Sequence, residues 1–326
     1  MMKPKVLITR NLPTSAIDRL RKYIIVEINQ KDEVMSRKEL VEKIKDKDGL
    51  LCLLTDRIDT EVMDAGERLK IIANYAVGYN NIDLKAATER KIAVTNTPGV
   101  LTETTADLVF ALLLAVARRV VEADGFLRRG EFKGWSPMLF LGTDVYKKTL
   151  GIIGLGRIGK AVAKRARGFA MRIIYYEPQR LSPETERAYS AEYRPLNVLL
   201  KEADFITIHT PLTDSTHHLI GEEEFSLMKK SAYLINTSRG PVVDEKALVR
   251  ALRNKLITGC GLDVYEQEPA VEEELLQLPN VVLLPHIGSA SVETRTRMAE
   301  MAVENLVAFF VNHKKPPQIL NPEVFE

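Results

Sequence analysis

A short apolar run followed at once by three spaced glycines is the feature that most constrains this chain. Residues 149–153 are Thr-Leu-Gly-Ile-Ile, and Gly154, Gly156 and Gly159 follow with the spacing G-x-G-x-x-G. A helical pattern over residues 160–167 comes next, which predicts a strand-to-helix turn. In such a turn the first glycine permits a tight bend, the second admits a pyrophosphate, and the third lets helix and strand pack closely. The N–H groups at the start of the helix then favour an anion.

An acidic residue stands where a dinucleotide site requires one. Glu177 follows the next apolar run, residues 173–176, and lies 21 residues after Gly156. A carboxylate at this place accepts hydrogen bonds from the adenosine ribose hydroxyls. It would repel the 2′-phosphate of NADP, whereas Arg180, three residues on, could reach such a phosphate. The sequence therefore predicts NAD as the cofactor, with NADH preferred over NADPH.

Apolar runs alternate with helical patterns along almost the whole chain. This alternation is typical of an α/β protein with parallel sheets, and the six later strands fit one doubly wound domain. Helical patterns cover residues 15–22, 36–45 and 292–310, and Ser36 with Glu39 has the spacing of a capping box. The predicted strands are residues 6–9, 24–28, 50–54, 71–75, 93–95, 149–153, 172–176, 205–209, 232–236, 258–263 and 281–284.

Composition and charge exclude several classes of protein. A length of 326 residues suggests about two domains. Lys and Arg number 46 against 44 Asp and Glu, so no basic excess favours nucleic acid. The longest apolar stretch, residues 108–117, is too short for a bilayer, which needs about 20 residues, and predicts a buried helix. Cys52 and Cys260 lie in apolar runs and predict buried thiols in a reducing cytoplasm.

Three later segments each follow a predicted strand and so lie at the carboxyl edge of the sheet, where such folds bind ligands. Together they offer an arginine, one or more glutamates and a histidine. His217 and His218 have no metal-binding partner at a suitable spacing, and we predict no metal site. The segments are residues 236–244, 261–269 and 284–290.

With these motifs in place, the sequence resembles the D-2-hydroxyacid dehydrogenases over residues 6–321, and among them the glyoxylate/hydroxypyruvate reductases. The resemblance is carried, in order, by Asn-Tyr-Ala-Val-Gly-Tyr-Asn-Asn-Ile-Asp at 74–83, Asn-Thr-Pro-Gly at 96–99 and Pro-His-Ile-Gly-Ser-Ala at 285–290. It implies that a nicotinamide cofactor reduces a small 2-oxo acid, such as glyoxylate or hydroxypyruvate, to the D-2-hydroxy acid by hydride transfer.

The resemblance also implies a role for each site residue. Arg239 would bind the substrate carboxylate or carbonyl, and His286 would protonate the carbonyl oxygen while paired with Glu268. The N–H groups of Val77 and Gly78 would hold the substrate carboxylate. Asp263 would contact the nicotinamide carboxamide, and Thr105 is either a cofactor contact or part of a helix N-cap region. The implied cofactor contacts are Thr105, Gly154, Leu155, Gly156, Arg157, Ile158, Gly159, Glu177, His209, Thr210, Pro211, Thr237, Ser238, Arg239, Asp263, His286 and Gly288.

The domain organisation that the resemblance implies is discontinuous. Residues 1–101 plus 288–326 would form a substrate domain, and residues 102–287 an NAD-binding Rossmann domain inserted into it. Both would be doubly wound, and the active site would lie in a cleft whose closure excludes water. The resemblance further implies a homodimer with the helix around residues 108–121 in the contact, and a small-molecule substrate as the only other partner.

Four alternatives carry related sequence features. Residues 130–137 and the pair Tyr176-Glu177 resemble the phosphite dehydrogenases, but Val77 stands where that branch carries a lysine. A phosphoglycerate dehydrogenase would be of the short form, because the chain stops at Glu326. A formate dehydrogenase is disfavoured, since that branch lacks the carboxylate matching Glu268. An NAD-sensing binding protein, like the corepressors of this fold, would keep the same three residues without turnover.

Overall fold

The computed structural model describes residues 3–31 and 33–326, which form two compact units. The first comprises the chain up to Leu101 together with Ser289–Glu326, and the second is Thr102–Gly288. Gly288 thus falls in the second unit, one residue beyond the predicted boundary.

The first unit is built on a parallel sheet of five strands in the order β2-β1-β3-β4-β5. β3 and β4 are buried at every residue, which explains why they read as unbroken apolar runs rather than as an alternating pattern. All five predicted strands are present, with ends shifted by at most two residues. The strands are β1 (Lys5–Ile8), β2 (Ile25–Ile28), β3 (Gly49–Cys52), β4 (Ile71–Asn74) and β5 (Ala93–Thr95).

Short helices connect these strands. The predicted cap of α2 forms, because Oγ of Ser36 accepts a hydrogen bond from the N–H of Glu39 at 3.3 Å. Asp83 caps α4 in the same way, accepting from the N–H of Ala86 at 2.9 Å. The helices are α1 (Thr14–Arg21), α2 (Arg37–Ile44), α3 (Thr60–Ala65) and α4 (Leu84–Glu89).

The second unit holds a parallel sheet of seven strands in the order β12-β11-β10-β9-β6-β7-β8. The prediction of six strands was wrong by one, because β8 is a three-residue edge strand with a single buried residue, Ala191. The strands are β6 (Thr149–Ile153), β7 (Arg172–Tyr176), β8 (Ala191–Tyr193), β9 (Phe205–Ile208), β10 (Tyr233–Asn236), β11 (Gly259–Leu262) and β12 (Val281–Leu283). Two doubly wound parallel sheets are therefore confirmed.

Helices cover both faces of this sheet. The predicted apolar helix lies within α5, whose buried side packs on β10, β11 and α7. Within the described residues, none of the helices combines the length and apolarity needed to cross a bilayer. The helices are α5 (Thr102–Ala117), α6 (Val120–Arg128), α7 (Arg157–Ala166), α8 (Pro183–Tyr189), α9 (Leu196–Glu202), α10 (Glu222–Leu227), α11 (Glu245–Arg253) and α12 (Glu273–Gln277).

The order of strands in the second unit defines a point where the winding reverses. The chain runs from β6 outward through β7 to β8, then returns to β9 on the opposite side of β6. Open α/β sheets bind ligands beyond the carboxyl ends of the strands at such a point. Here those ends lead into Gly154 and His209.

The core of the first unit is completed by a helix that follows the second unit in the sequence. α13 (Val292–Phe310), at its predicted position, packs on α1 and β4. Met298, Ala302 and Leu306 of α13 are buried in the same apolar cluster as Val6 of β1. Residues 318–321 then follow the edge of β5, where the N–H of Leu320 donates to the carbonyl of Val94 at 2.8 Å.

Candidate active site

The glycine turn after β6 has the close approaches that its pattern predicts. Gly154 has φ of +98°, and a Cβ there would lie 2.8 Å from the carbonyl carbon of His209. A Cβ on Gly159 would fall on the carbonyl oxygen of Gly154. Gly156 differs, because a Cβ there would meet nothing within 4 Å. The turn thus keeps β6, β9 and α7 in contact and leaves open space beside its middle glycine.

α7 begins directly at this open space. Gly156 is its N-cap residue, and Arg157 and Ile158 are its first two helical residues. Their N–H groups lack partners within the helix, and the first turn carries no acidic side chain. A ten-residue helix with a positive dipole end and a glycine at its start fits the pyrophosphate of a dinucleotide.

Glu177 lies beside the same turn, since its carboxylate accepts a hydrogen bond from the N–H of Leu155. Burial raises the pKa of Glu177, while that N–H and the charge of Lys160 oppose the rise. Arg180 forms an ion pair with Glu186. Its Nε and Nη2 donate to the two carboxylate oxygens of Glu186, each at 2.8 Å. This pairing, with a further hydrogen bond from a tyrosine hydroxyl, lowers the pKa of Glu186 to about 2.

Several buried polar atoms follow β9 and β10 without a partner. Among the described residues, Nε2 of His209 and the hydroxyls of Thr210 and Thr237 form no hydrogen bond. Burial lowers the pKa of His209 to about 3, so its imidazole is neutral. The hydroxyl of Ser238 donates to the carbonyl of Thr210 and joins the two loops. Buried polar atoms normally have hydrogen-bond partners. The unpaired atoms of these two loops, the first of which continues to Pro211, therefore fit a polar cofactor.

Arg239 lies in the loop after β10. The side chain of Asn236 fixes the conformation of this loop. The amide of Asn236 donates to the carbonyl of Arg239 at 3.0 Å and accepts from the N–H of Ser238 at 3.0 Å. Burial lowers the pKa of Arg239, and the charge of Glu268 opposes that shift. A guanidinium keeps its charge under these conditions, so the loop presents a fixed cation.

The imidazole of His286 is held by a carboxylate. Nδ1 of His286 donates to Oε2 of Glu268 at 2.8 Å, and Oε1 of Glu268 accepts from the N–H of Tyr265 at 3.1 Å. Burial would raise the pKa of Glu268, but the hydrogen bond and charge of His286, together with Arg239, hold it below its ordinary value. The pairing uses Nδ1 and leaves Nε2 as the ring nitrogen that can meet a ligand.

Asp263, directly after β11, positions the backbone next to His286. Its Oδ1 accepts from the N–H of Ile287 and its Oδ2 from the N–H of Gly288, both at 2.7 Å. Thr105 donates to the carbonyl of Gly288 at 3.1 Å. Thr105 is the fourth residue of α5, so it lies in the N-terminal turn of that helix, and its contact with the cofactor stays a prediction. The positioning role of Asp263 was not predicted from the sequence. The one indication of it was an acidic residue directly after a strand.

The loop that contains Val77 and Gly78 follows β4 in the first unit. Two amide side chains hold its carbonyls: Asn96 donates to the carbonyl of Val77 at 2.7 Å, and Asn74 to that of Gly78 at 2.8 Å. The N–H groups of Val77 and Gly78 donate to no other described residue. The loop therefore offers two adjacent backbone donors. Asn74 and Asn96 fall inside motifs that the sequence singled out, but their roles were not predicted.

His217 and His218 form a second cluster, apart from the His286–Glu268 pair. Their ring centroids lie 4.0 Å apart, and Nε2 of His218 lies 2.8 Å from Oε1 of Glu266. The sequence shows no metal-binding partner for this pair at a suitable spacing, because Glu266 is 48 residues from His218 and only the fold brings it close.

Comparisons with known proteins identify the class to which this fold and site belong. Residues 110–288 match the family described as D-isomer specific 2-hydroxyacid dehydrogenase, NAD binding domain. A glyoxylate reductase of Korarchaeum cryptofilum is 54% identical, over 99% of this chain and 97% of that protein. A Thermus thermophilus protein of known structure is 49% identical with a TM-score of 0.90, over 97% of this chain and 99% of that one.

A third comparison is with the NADPH-dependent glyoxylate/hydroxypyruvate reductase of Sinorhizobium meliloti. It is 34% identical with a TM-score of 0.87, and 98% of each chain is covered. The chain belongs to the D-isomer specific 2-hydroxyacid dehydrogenase family. It is accordingly an oxidoreductase that uses a nicotinamide cofactor, and its second unit contains the NAD-binding domain of the family.

Proposed function

We propose that this protein reduces glyoxylate or hydroxypyruvate to the D-2-hydroxy acid with NADH. The observation that carries the proposal is the pairing of His286 with Glu268 at 2.8 Å, next to the charge of Arg239 and on the same unit as the glycine turn. An oriented imidazole and a fixed cation are what reduction of a carbonyl beside a carboxylate requires. The Korarchaeum and Sinorhizobium relatives are named for reductases of this substrate class, which supports the choice.

In the proposed reaction each side chain has one task. Glu268 fixes the ring of His286 through Nδ1, so that Nε2 donates a proton to the carbonyl oxygen of the substrate. Arg239 binds the carbonyl or carboxylate oxygen and stabilises the negative charge that develops there. A nicotinamide cofactor held by the glycine turn would supply the hydride for the carbonyl carbon. Asp263 acts through the backbone, because it holds the two residues that follow His286.

The substrate carboxylate would be held by backbone donors. The N–H groups of Val77 and Gly78 are adjacent, and Asn96 and Asn74 fix their peptide groups from the carbonyl side. Such preorganised donors need no reorganisation when an anion arrives. Gly78 carries no side chain that could crowd the ligand, and Val77 adds no charge of its own.

The cofactor preference follows from Glu177 and the pairing of Arg180. Glu177 is hydrogen-bonded to the glycine turn. From this position we expect its carboxylate to accept hydrogen bonds from the ribose hydroxyls. Arg180, the residue that could bind a 2′-phosphate, is held by Glu186 through two hydrogen bonds. The Sinorhizobium relative is NADPH-dependent, so the family contains both preferences, and these contacts favour NADH here.

Changing Glu177 to glutamine should lower the preference for NADH over NADPH by about tenfold or more, because the repulsion of the 2′-phosphate disappears. The quantity to measure is the ratio of kcat/KM for the two cofactors with one oxo acid. Arg180→Gln is the matched control, and its ratio should stay within about threefold of the unmodified protein. An unchanged ratio for Glu177→Gln would show that the residue does not contact the ribose.

The test of the proposed reaction is a panel of purified-protein assays. Oxidation of NADH is followed with glyoxylate, hydroxypyruvate and 3-phosphohydroxypyruvate, and reduction of NAD with phosphite. We expect turnover with the two small oxo acids. Turnover with phosphite alone would favour the phosphite alternative, and with the phosphorylated acid alone the phosphoglycerate one. NADH binding without any turnover would favour the NAD-sensing binding protein.

We also propose that the protein is a cytoplasmic homodimer. Large apolar side chains are exposed along residues 120–146 of the second unit, and Trp135 is 84% exposed. Exposed apolar patches of this kind mark protein interfaces. Cys52 and Cys260 are free, buried thiols, as expected in a reducing compartment. The exposed residues are Val120, Val121, Leu127, Phe132, Trp135, Met138, Leu139, Leu141 and Tyr146.

Sedimentation velocity at micromolar concentration should give twice the mass of one chain. Trp135→Asp should shift the protein towards the mass of one chain, because a charge would be buried in the contact. Val292→Asp is the matched control, since Val292 is equally exposed but lies in α13. A single-chain mass for the unmodified protein would contradict the dimer.

A further inference from the structure

Three metal-ligating side chains of the second unit come together outside the groups used in the proposed reaction. His217, His218 and Glu266 each offer one ligand atom, and these atoms all lie within 4.8 Å of one another. Nε2 of His218 already lies 2.8 Å from the carboxylate of Glu266, and the two imidazole rings are neighbours at 4.0 Å. Both histidines are exposed, so an ion from solution can reach them.

The backbone holds these ligands on two anchored loops. The N–H of His218 donates to the carbonyl of Pro241 at 2.8 Å. Glu266 and Glu245 exchange hydrogen bonds: the N–H of Glu266 donates to Glu245 at 2.7 Å, and the N–H of Glu245 donates to Glu266 at 3.2 Å. The second of these bonds uses Oε2 of Glu266, so Oε1 is the oxygen directed to His218.

The surroundings of the cluster are rich in carboxylates. A cavity of about 450 Å³ opens beside His218 and Glu266. Five carboxylates line it against two cationic side chains, and one of those, Arg250, pairs with Glu222 at 3.5 Å. A concave surface with an excess of one charge concentrates counter-ions of the other sign. The carboxylates are Asp244, Glu245, Glu266, Glu272 and Glu273, and the cations are Lys246 and Arg250.

We propose that His217, His218 and Glu266 bind a divalent transition-metal ion of the zinc type. Two imidazoles with one carboxylate are ligands that suit zinc or cobalt, whereas calcium and magnesium prefer oxygen alone. Tetrahedral bonds of about 2.0 Å place the donor atoms about 3.3 Å apart, which small rotations of two exposed rings can reach. Water completes the coordination.

The ion would strengthen the link between two loops that the hydrogen bond of His218 with Glu266 already joins. His217 and His218 belong to the segment after β9, and Glu266 to the loop between β11 and α12. An ion that binds only the folded arrangement stabilises the protein by mass action. A rise in Tm on addition of metal is therefore expected, together with direct binding.

The experiment uses full-length protein without a histidine tag, freed of metal by a chelator. Co²⁺ is added and its visible absorption is followed, and Zn²⁺ is then titrated in as a competitor. We expect one Co²⁺ per chain, an intense band typical of tetrahedral coordination, and a rise in Tm. Each of His217→Ala, His218→Asn and Glu266→Gln should weaken Co²⁺ binding more than about tenfold, at least the loss seen on removing an outer partner of a metal ligand.

The variants are chosen so that folding is preserved. His218 has φ of +50°, a backbone conformation that asparagine tolerates. Glutamine at 266 keeps an acceptor for the N–H of Glu245. His313→Asn is the matched control, because His313 is exposed, has φ of +51° and lies in the first unit; it should bind Co²⁺ like the unmodified protein. The proposal is overturned if the unmodified protein binds no Co²⁺, or if all four variants bind it equally well.

Discussion

Replacing His286 with asparagine should lower kcat for reduction of the preferred oxo acid by about 10²–10⁴-fold, the contribution expected of a general acid. The variant loses the ring nitrogen that would protonate the carbonyl oxygen, while the glycine turn that holds the cofactor is unchanged. Asparagine suits the position because His286 has φ of +54°. Stopped-flow single turnovers give the rate, and quenching of protein fluorescence by NADH gives the Kd, which should change by less than about threefold.

A control for this experiment exists in the same chain. His313 is also a histidine with positive φ, and His313→Asn should leave kcat unchanged. A kcat for His286→Asn within a few-fold of the unmodified protein would contradict the assignment of the proton donor. A large rise in the Kd for NADH would instead place His286 in the cofactor site rather than at the proton transfer.

Replacing Gly240 with alanine should destabilise the protein by more than about 3 kcal/mol, the upper range for an overpacked core. A Cβ at Gly240 would fall on the backbone carbonyl of Tyr265, and no side-chain rotation can relieve a clash with backbone. Gly240 follows Arg239, and Tyr265 donates its N–H to Glu268. Any accommodation therefore displaces Arg239 or the carboxylate that holds His286, so activity should fall with stability.

Urea unfolding measures the stability change, and steady-state assays on the folded fraction measure activity. Gly168→Ala is the matched control, because a Cβ at this exposed glycine would meet nothing within 4 Å. It should be neutral or stabilising by up to about 1 kcal/mol. Equal stability for the Gly240 and Gly168 variants would mean that the contact between the two loops is not as tight as the structure shows.

Much of the fold was predictable because its signals are local. The glycine spacing from Gly154 to Gly159 and the acid at Glu177 identify a strand, a turn, a helix and the next strand within thirty residues. Buried strands such as β4 read as unbroken apolar runs, which periodicity detects directly. β8 was not predicted because Ala-Glu-Tyr at 191–193 is a short segment without a clear hydrophobic pattern. Only its pairing with β7 makes it a strand.

The candidate site was less predictable from the residues themselves. Arg239, Glu268 and His286 were chosen through the resemblance to a family, since nothing in their spacing shows that His286 meets Glu268 rather than Glu266. The two carboxylate oxygens of Asp263 accept hydrogen bonds from backbone N–H groups 24 and 25 residues away. These contacts exist only after folding. The partnership of His218 with Glu266 is of the same kind.

The split core of the first unit has a consequence for how the protein is made. Its five strands lie within the first hundred residues to leave the ribosome, but α13, which buries part of their apolar surface, is translated only after residue 288. At about 5–20 residues per second, the second unit takes roughly 10–40 s to synthesise. All seven strands of the second unit lie in one continuous segment, Thr102–Gly288. This unit can therefore complete its core before α13 is translated. During that interval the nascent first unit keeps an uncovered apolar surface, so molecular chaperones should engage its early strands until translation delivers α13.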